Sequence, residues 1–223
     1  MSAEPVDALA AEAERTGAFL KGLGPGDWAK PTRCAPLDVR ELAVHAVRGA
    51  YRILDALAAD RLAGEPEKDA VTYWSYDPAV VGAGVVDRAK AESDARAEDA
   101  DIAAEWRDGW RKAIDAARAA LDDDPLIPAV PGRTRLSEFL KTRCIEVGIH
   151  AMDLRDALGL EPDPDPACLE VVCDVLRGIL GTDLRPRGVD ELHFALAGTG
   201  REPLTDDERT MLGPLADSFP LLQ

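Results

Sequence analysis

Only three histidines occur in the 223-residue chain, and two of them stand where a metal site would need them. His150 closes the run Glu146-Val147-Gly148-Ile149-His150, which sets a carboxylate and an imidazole one helical turn apart on one face. His45 lies in a separate helical pattern, Val39-Arg40-Glu41-Leu42-Ala43-Val44-His45. Two imidazoles and one carboxylate from two helices suffice to hold a divalent cation with a coordination position left open, an arrangement that serves catalysis. Each part alone has a plainer reading. Glu and His four apart pair favourably on any helix surface, and a lone histidine in an apolar pattern is commonly a core residue. His193 has no such carboxylate spacing around it and is read as structural.

The elements that must position these residues are helices. A first apolar-periodic stretch runs from Val6 to Leu23 and ends in Gly22-Leu23-Gly24-Pro25-Gly26. Asp38, with Glu41 three residues on, is a capping-box start, so a second helix is expected from Val39 to about Leu62. Its apolar stripe is Val39, Ala43, Ala46, Ala50, Ile53, Leu54 and Leu57, with His45, Gly49 and Arg52 beside it, as at the edge of a pocket. Residues 66–83 read as a loop carrying the aromatic cluster Tyr73-Trp74-Ser75-Tyr76, either a wall over a pocket or a loop pinned to the bundle. Val85 to Leu121 reads as one long helix or two, anchored by Trp106 and Trp110; Asp122-Asp123-Asp124 reads as a solvated end. The next helix, Leu136 to Leu158, is closed by Gly159 and is apolar nearly all round, which places it centrally. Yet Arg143, Glu146, His150 and Asp153 form a polar stripe on it, and buried polar groups need partners. A helix from about Pro166 to Leu180 follows. Two shorter helical patterns come after Val189, split by Thr199-Gly200-Arg201-Glu202-Pro203. There is no alternating strand pattern of consequence.

Composition agrees. Hydrophobic residues make up 46% and aromatic residues 5%, so the core must be built mainly of Ala, Leu and Val, which suits helix-on-helix packing. The net charge of −16 repels phosphate backbones and argues against a nucleic-acid partner. No apolar run reaches bilayer length, and Met1-Ser2-Ala3-Glu4-Pro5 lacks a basic region and an apolar signal core, so a cytoplasmic protein without membrane contact is expected. Cys34, Cys144, Cys168 and Cys173 show no metal-knuckle spacing and are read as small buried hydrophobes.

Two segments carry a resemblance. Pro31-Thr32-Arg33-Cys34-Ala35-Pro36-Leu37-Asp38-Val39-Arg40-Glu41-Leu42-Ala43-Val44-His45, with Trp28 upstream, resembles the N-terminal signature of the DinB-like, mycothiol-dependent maleylpyruvate isomerase family. Arg143-Cys144-Ile145-Glu146-Val147-Gly148-Ile149-His150-Ala151-Met152-Asp153-Leu154 resembles the helix of that family with the pattern E-x-x-x-H-x-x-D-L. Ala197-Gly198-Thr199-Gly200-Arg201 and Phe219-Pro220-Leu221-Leu222 look like endings of its actinobacterial members. The chain departs from the pattern in having Leu37 where the signature has Trp, and in a short, helical tail where the named isomerase has an α/β domain supplying a catalytic arginine.

The resemblance implies an all-α fold, an up-down DinB-like four-helix bundle over residues 1–160 with a helical extension over 161–223 packed on it. It implies that His45, Glu146 and His150 ligate a divalent metal, zinc by donor type, and that mycothiol is the thiol cosubstrate. The expected reaction is attack of the activated thiol on a small electrophile. A retained thioether makes this an S-transferase; loss of the thiolate after bond rotation makes it a cis–trans isomerase. Asp153 would orient a ligand imidazole or reach a substrate hydroxyl, and otherwise would pair with Arg155 or Arg143. Arg201 is the candidate equivalent of the catalytic arginine. Arg48, Arg52 and Arg143 would bind acidic or hydroxyl groups of thiol and substrate, with Trp74 in the pocket wall; the plainer reading of the arginines is neutralisation of nearby carboxylates. A metal-dependent hydrolase or dehydratase, and a non-catalytic metal or small-molecule binder, are the alternatives. A monomer or homodimer is compatible with each.

Overall fold

Asp38 begins the helix that carries His45 as its sequence indicates: its carboxylate accepts from the Glu41 amide at 2.8 Å, and the Glu41 carboxylate accepts from the Asp38 amide at 2.9 Å. The computed structural model describes residues 4–75, 84–97, 101–184 and 188–222. Among these, eight α-helices follow in order: α1 Pro5–Lys21, α2 Val39–Ala58, α3 Val85–Asp94, α4 Ile102–Ala120, α5 Leu136–Asp156, α6 Pro166–Leu180, α7 Glu191–Gly198 and α8 Asp206–Leu212. A two-stranded antiparallel ribbon, β1 Leu126–Ile127 with β2 Thr134–Arg135, leads into α5. The Val85 to Leu121 region is thus two helices, and Asp101 caps the second by accepting from the Ala104 amide. Tyr76 lies outside the described residues. Among those described, no helix is long and apolar enough to cross a membrane.

The bundle closes as a ring: α1 packs on α4 and α5, and α2 packs on the same two. Trp106 and Trp110 of α4 are buried in it, and each sits against a helical glycine. A Cβ on Gly17 would stand 3.2 Å from the Trp106 ring, and one on Gly49 3.1 Å from the Trp110 ring. Those missing methyls let both indoles reach the neighbouring backbones, and Trp106 Nε1 donates to the Ala13 carbonyl at 2.8 Å. Gly49, expected at a pocket edge, therefore faces the core. Leu42, Val44 and Val47 are buried too, because α2 is covered by α3 as well as by α4 and α5. The helix stops at Ala58, short of Leu62.

Central α5 contacts α1, α2 and α6, which accounts for its apolar residues on several sides. Asp124 does more than end a helix in water: its carboxylate accepts from the Ser137 amide at 2.8 Å and so caps the start of α5. Helix α6 follows the sequence reading, with Asp165 as cap, Pro166 in the first turn and Gly181 at φ 72° closing it. It packs on α5 and α1, and α7 packs on α6.

Glu12 of α1 is buried at the α1–α6 junction, accepting from the Asp165 amide at 2.6 Å and the Thr16 hydroxyl at 3.1 Å. Burial outweighs these bonds and raises its pKa from 4.5 to about 6. A raised folded-state value means that the group favours folding fully below pH 4.5 and loses that contribution as pH rises through 6. Relative to wild type, Glu12→Gln should therefore gain roughly 1–2 kcal/mol of stability between pH 4.5 and 7.5, because each tenfold change in proton affinity is worth about 1.4 kcal/mol. Urea melts of both proteins at the two pH values check this; a constant difference would refute it.

Candidate metal centre

His45 on α2 and Glu146 with His150 on α5 meet where the two helices face each other. The imidazole centroids lie 5.3 Å apart, nearly perpendicular at 78°. His150 Nε2 is 3.8 Å from Glu146 Oε2. One donor atom from each of His45, Glu146 and His150 falls within 4.8 Å of the others. Ligands about 2.0–2.2 Å from a tetrahedral cation lie roughly 3.5 Å apart, so a small contraction would seat one ion on all three. The Glu146 side chain keeps 28% exposure and His150 17%, leaving the group reachable from solvent. The donor chemistry, two nitrogens and one carboxylate, fits a zinc-like divalent ion.

Charge is distributed unevenly over the trio. Burial, and then the proximity of His150, lowers the His45 pKa to about 4, so this imidazole is neutral with a lone pair available. Burial alone would raise Glu146, but Arg143 leads the neighbouring charges that hold it below the usual carboxylate value. Burial opposes protonation of His150, yet hydrogen bonds to Asp153 and Cys34 and the Asp153 and Glu146 charges raise it to about 10.

Behind His150 stands a second layer. His150 Nδ1 donates to Asp153 Oδ2 at 3.1 Å, and the fully buried Asp153 side chain is held by Arg201 through Nε–Oδ1 at 3.1 Å and Nη2–Oδ2 at 2.8 Å. Asp153 thus hydrogen-bonds the imidazole, and the arginine that grips both its oxygens is neither Arg155 nor Arg143 but one from the tail, 48 residues away. The Cys34 thiol also donates to Asp153 Oδ2, at 3.2 Å. Cys34 is therefore unlike Cys144, Cys168 and Cys173, which are buried as expected. The only hint of this in the sequence is that Cys34 shares the first signature segment with His45. Cys34, His150 and Asp153 form another trio of donors. Arg201 already occupies both Asp153 oxygens, however, and its charge would repel a cation there.

The remaining candidates separate. Arg143 is buried beside Glu146 at 4.0 Å, 3.4 Å from the Tyr73 hydroxyl and 4.7 Å above the Phe139 ring. Arg52 is half-buried near Arg143 and Glu146, with no hydrogen bond or ion pair among the described residues; burial and the Arg143 charge lower its pKa. Arg48 is drawn off by Glu92 of α3 in an ion pair, the neutralising role. Trp74 packs edge-on against Tyr73, their rings 5.2 Å apart. Buried Tyr73, which nothing in the sequence singles out from its cluster, meets Arg143 through its hydroxyl, beside Phe139. His193 is structural: it lies 2.6 Å from Glu208 and 3.3 Å from Glu202.

Residues 9–155 match the family model described as the mycothiol maleylpyruvate isomerase N-terminal domain. That span contains His45, Glu146, His150 and Asp153 and ends before Arg201. Comparisons with curated proteins and with solved structures gave no match.

Proposed function

Because the chain belongs to the family of the mycothiol maleylpyruvate isomerase N-terminal domain, we propose that it is a metal-dependent thiol enzyme. In this reading it joins mycothiol to a small electrophile as an S-transferase, or uses the thiol transiently as a cis–trans isomerase. The observation that carries it is the meeting of His45, Glu146 and His150 from two helices inside the matched span. These three residues would hold zinc, which when bound makes a coordinated thiol acidic enough to be a thiolate at neutral pH.

The protein's own groups do the rest. Asp153 keeps Nδ1 of His150 engaged, so that Nε2 is the nitrogen turned to Glu146. Buried Arg143 offsets the Glu146 charge from within, and half-buried Arg52 beside it would offer a guanidinium to acidic or hydroxyl groups of thiol and electrophile. Tyr73 packs beside Arg143, with Trp74 edge-on behind it, and the two rings would serve as an aromatic wall.

The test is consumption of a panel of electrophiles, including epoxides and cis-alkene diacids, by zinc-loaded protein with and without mycothiol. Turnover only with the thiol is expected. Turnover that ignores it would replace this reading with a hydrolase or dehydratase, and no turnover despite tight binding would leave a binding protein.

Metal uptake should also be linked to protons. With His45 neutral and Glu146 ionised, His150 holds the proton that a cation must displace below its pKa of about 10. Binding should release about one proton per ion and strengthen about tenfold per pH unit between roughly pH 7 and 9. Calorimetry in buffers of different ionisation enthalpy measures it, and a release near zero would contradict the assignment.

A further inference from the structure

We infer that Arg201 is a positioning residue of the centre: together with Arg33 it braces Asp153, and through Asp153 it fixes the ring of His150. The inference rests on the metal reading above and adds a role for the chain beyond the family-matched span, which ends at residue 155.

The geometry is that of a clamp. Asp153 has no solvent exposure, and its oxygens are committed to Arg201 Nε and Nη2, His150 Nδ1 and Cys34 Sγ. A planar guanidinium that meets both carboxylate oxygens sets the carboxylate plane, and that plane sets the direction from which Nδ1 of His150 donates. Arg201 is itself held. Its Nη1 donates to the Thr199 carbonyl at 2.6 Å, so all three of its nitrogens have inward partners. Its backbone carbonyl accepts from Arg33 Nη1 at 3.2 Å, while Arg33 Nε and Nη2 grip Asp156 at 3.0 and 2.8 Å. Arg33 Nε also lies 3.9 Å from Asp153.

The segment bearing Arg201 is tied down at both sides. The Leu221 and Leu222 amides donate to the Gly198 carbonyl at 2.8 and 2.9 Å, and His193 sits between Glu208 and Glu202. An arginine committed in this way does not reach for substrate. Its effect on the reaction passes through the imidazole it steadies.

Wild type, Arg201→Met, Arg201→Lys and Arg33→Gln would be compared by zinc affinity, from competition with a chromophoric chelator, and by nitrogen NMR of the metal-free imidazoles. Arg201→Met should weaken zinc binding roughly 10–100-fold, as losses behind a metal ligand do. Lys, lacking the planar fork, should restore part of this, and Arg33→Gln should act in the same direction but less. The Nδ1 signal of His150 should shift in the metal-free variants while that of His193 stays in place. Unchanged zinc affinity and an unmoved His150 signal, even with a lowered melting temperature, would overturn the inference and leave Arg201 a structural residue. If Arg201→Met fails to fold, Arg201→Lys and Arg33→Gln carry the same comparison. Wild type that takes up no zinc would instead refute the metal reading, and the His150 signal would then decide the brace on its own.

Discussion

Glu146→Gln protein should emerge from zinc reconstitution with little metal, while wild type retains a near-stoichiometric amount, as plasma mass spectrometry would read. The substitution keeps the shape of the side chain and removes the one anionic donor of the trio, leaving two imidazoles to hold a dication. Because this removes a ligand itself, affinity should fall by more than the roughly 10–100-fold typical of losses behind the ligands. Thiol-dependent turnover should fall with it. Folding should survive, since Glu146 is part-exposed and its neighbour Arg143 keeps its contacts with Tyr73, Thr142 and Phe139. His45→Gln should behave alike from the other helix. Equal metal content in wild type and both variants would sink the centre as described.

The second large effect is on stability. Asp153→Asn should destabilise the metal-free protein by about 3–5 kcal/mol, because breaking a buried ion pair from one side strands the partner charge. Here two charges are stranded, Arg201 and the protonated His150. The pH dependence identifies the pair. Burial works against the Asp153 charge, but His150 and Arg201 hold its pKa well below 3.8, so its contribution is present above 3.8 and is lost on acidification below that. His150 is raised from 6.5 to about 10, so its contribution is full below 6.5 and lost as pH rises through 10. The wild-type advantage over Asp153→Asn should therefore be greatest between about pH 4 and 6.5 and shrink on either side. Chemical denaturation across pH measures it; a deficit that does not vary with pH would show that the carboxylate contributes through shape alone.

Much of this protein is legible in its residue order, because the signals act over one or two helical turns. The Asp38 and Glu41 pair starts α2, Asp165 with Pro166 and Gly181 bounds α6, and apolar residues on several sides mark α5 as central. The donor trio is legible for the same reason: Glu146 and His150 share a face of one helix, and the chain has just two other histidines, His45 and His193, to offer as a third donor. The family pattern narrowed that choice. The stop of α2 at Ala58 carried no such local mark.

Partner choice among charges was decided by tertiary structure alone. Asp153 met Arg201 and Cys34 across separations of 48 and 119 residues, Arg33 met Asp156 across 123, and Arg48 was captured by Glu92 of α3. In a chain with 42 acidic and 26 basic side chains, many such pairs are chemically equivalent. Helix propensity and periodicity are properties of neighbouring residues and can be read in order; an ion pair depends on where packed helices bring distant segments together. The donor trio His45, Glu146 and His150 is therefore legible in the sequence, while the partners of Asp153 behind it, Arg201 and Cys34, come from distant segments that only the fold brings to α5.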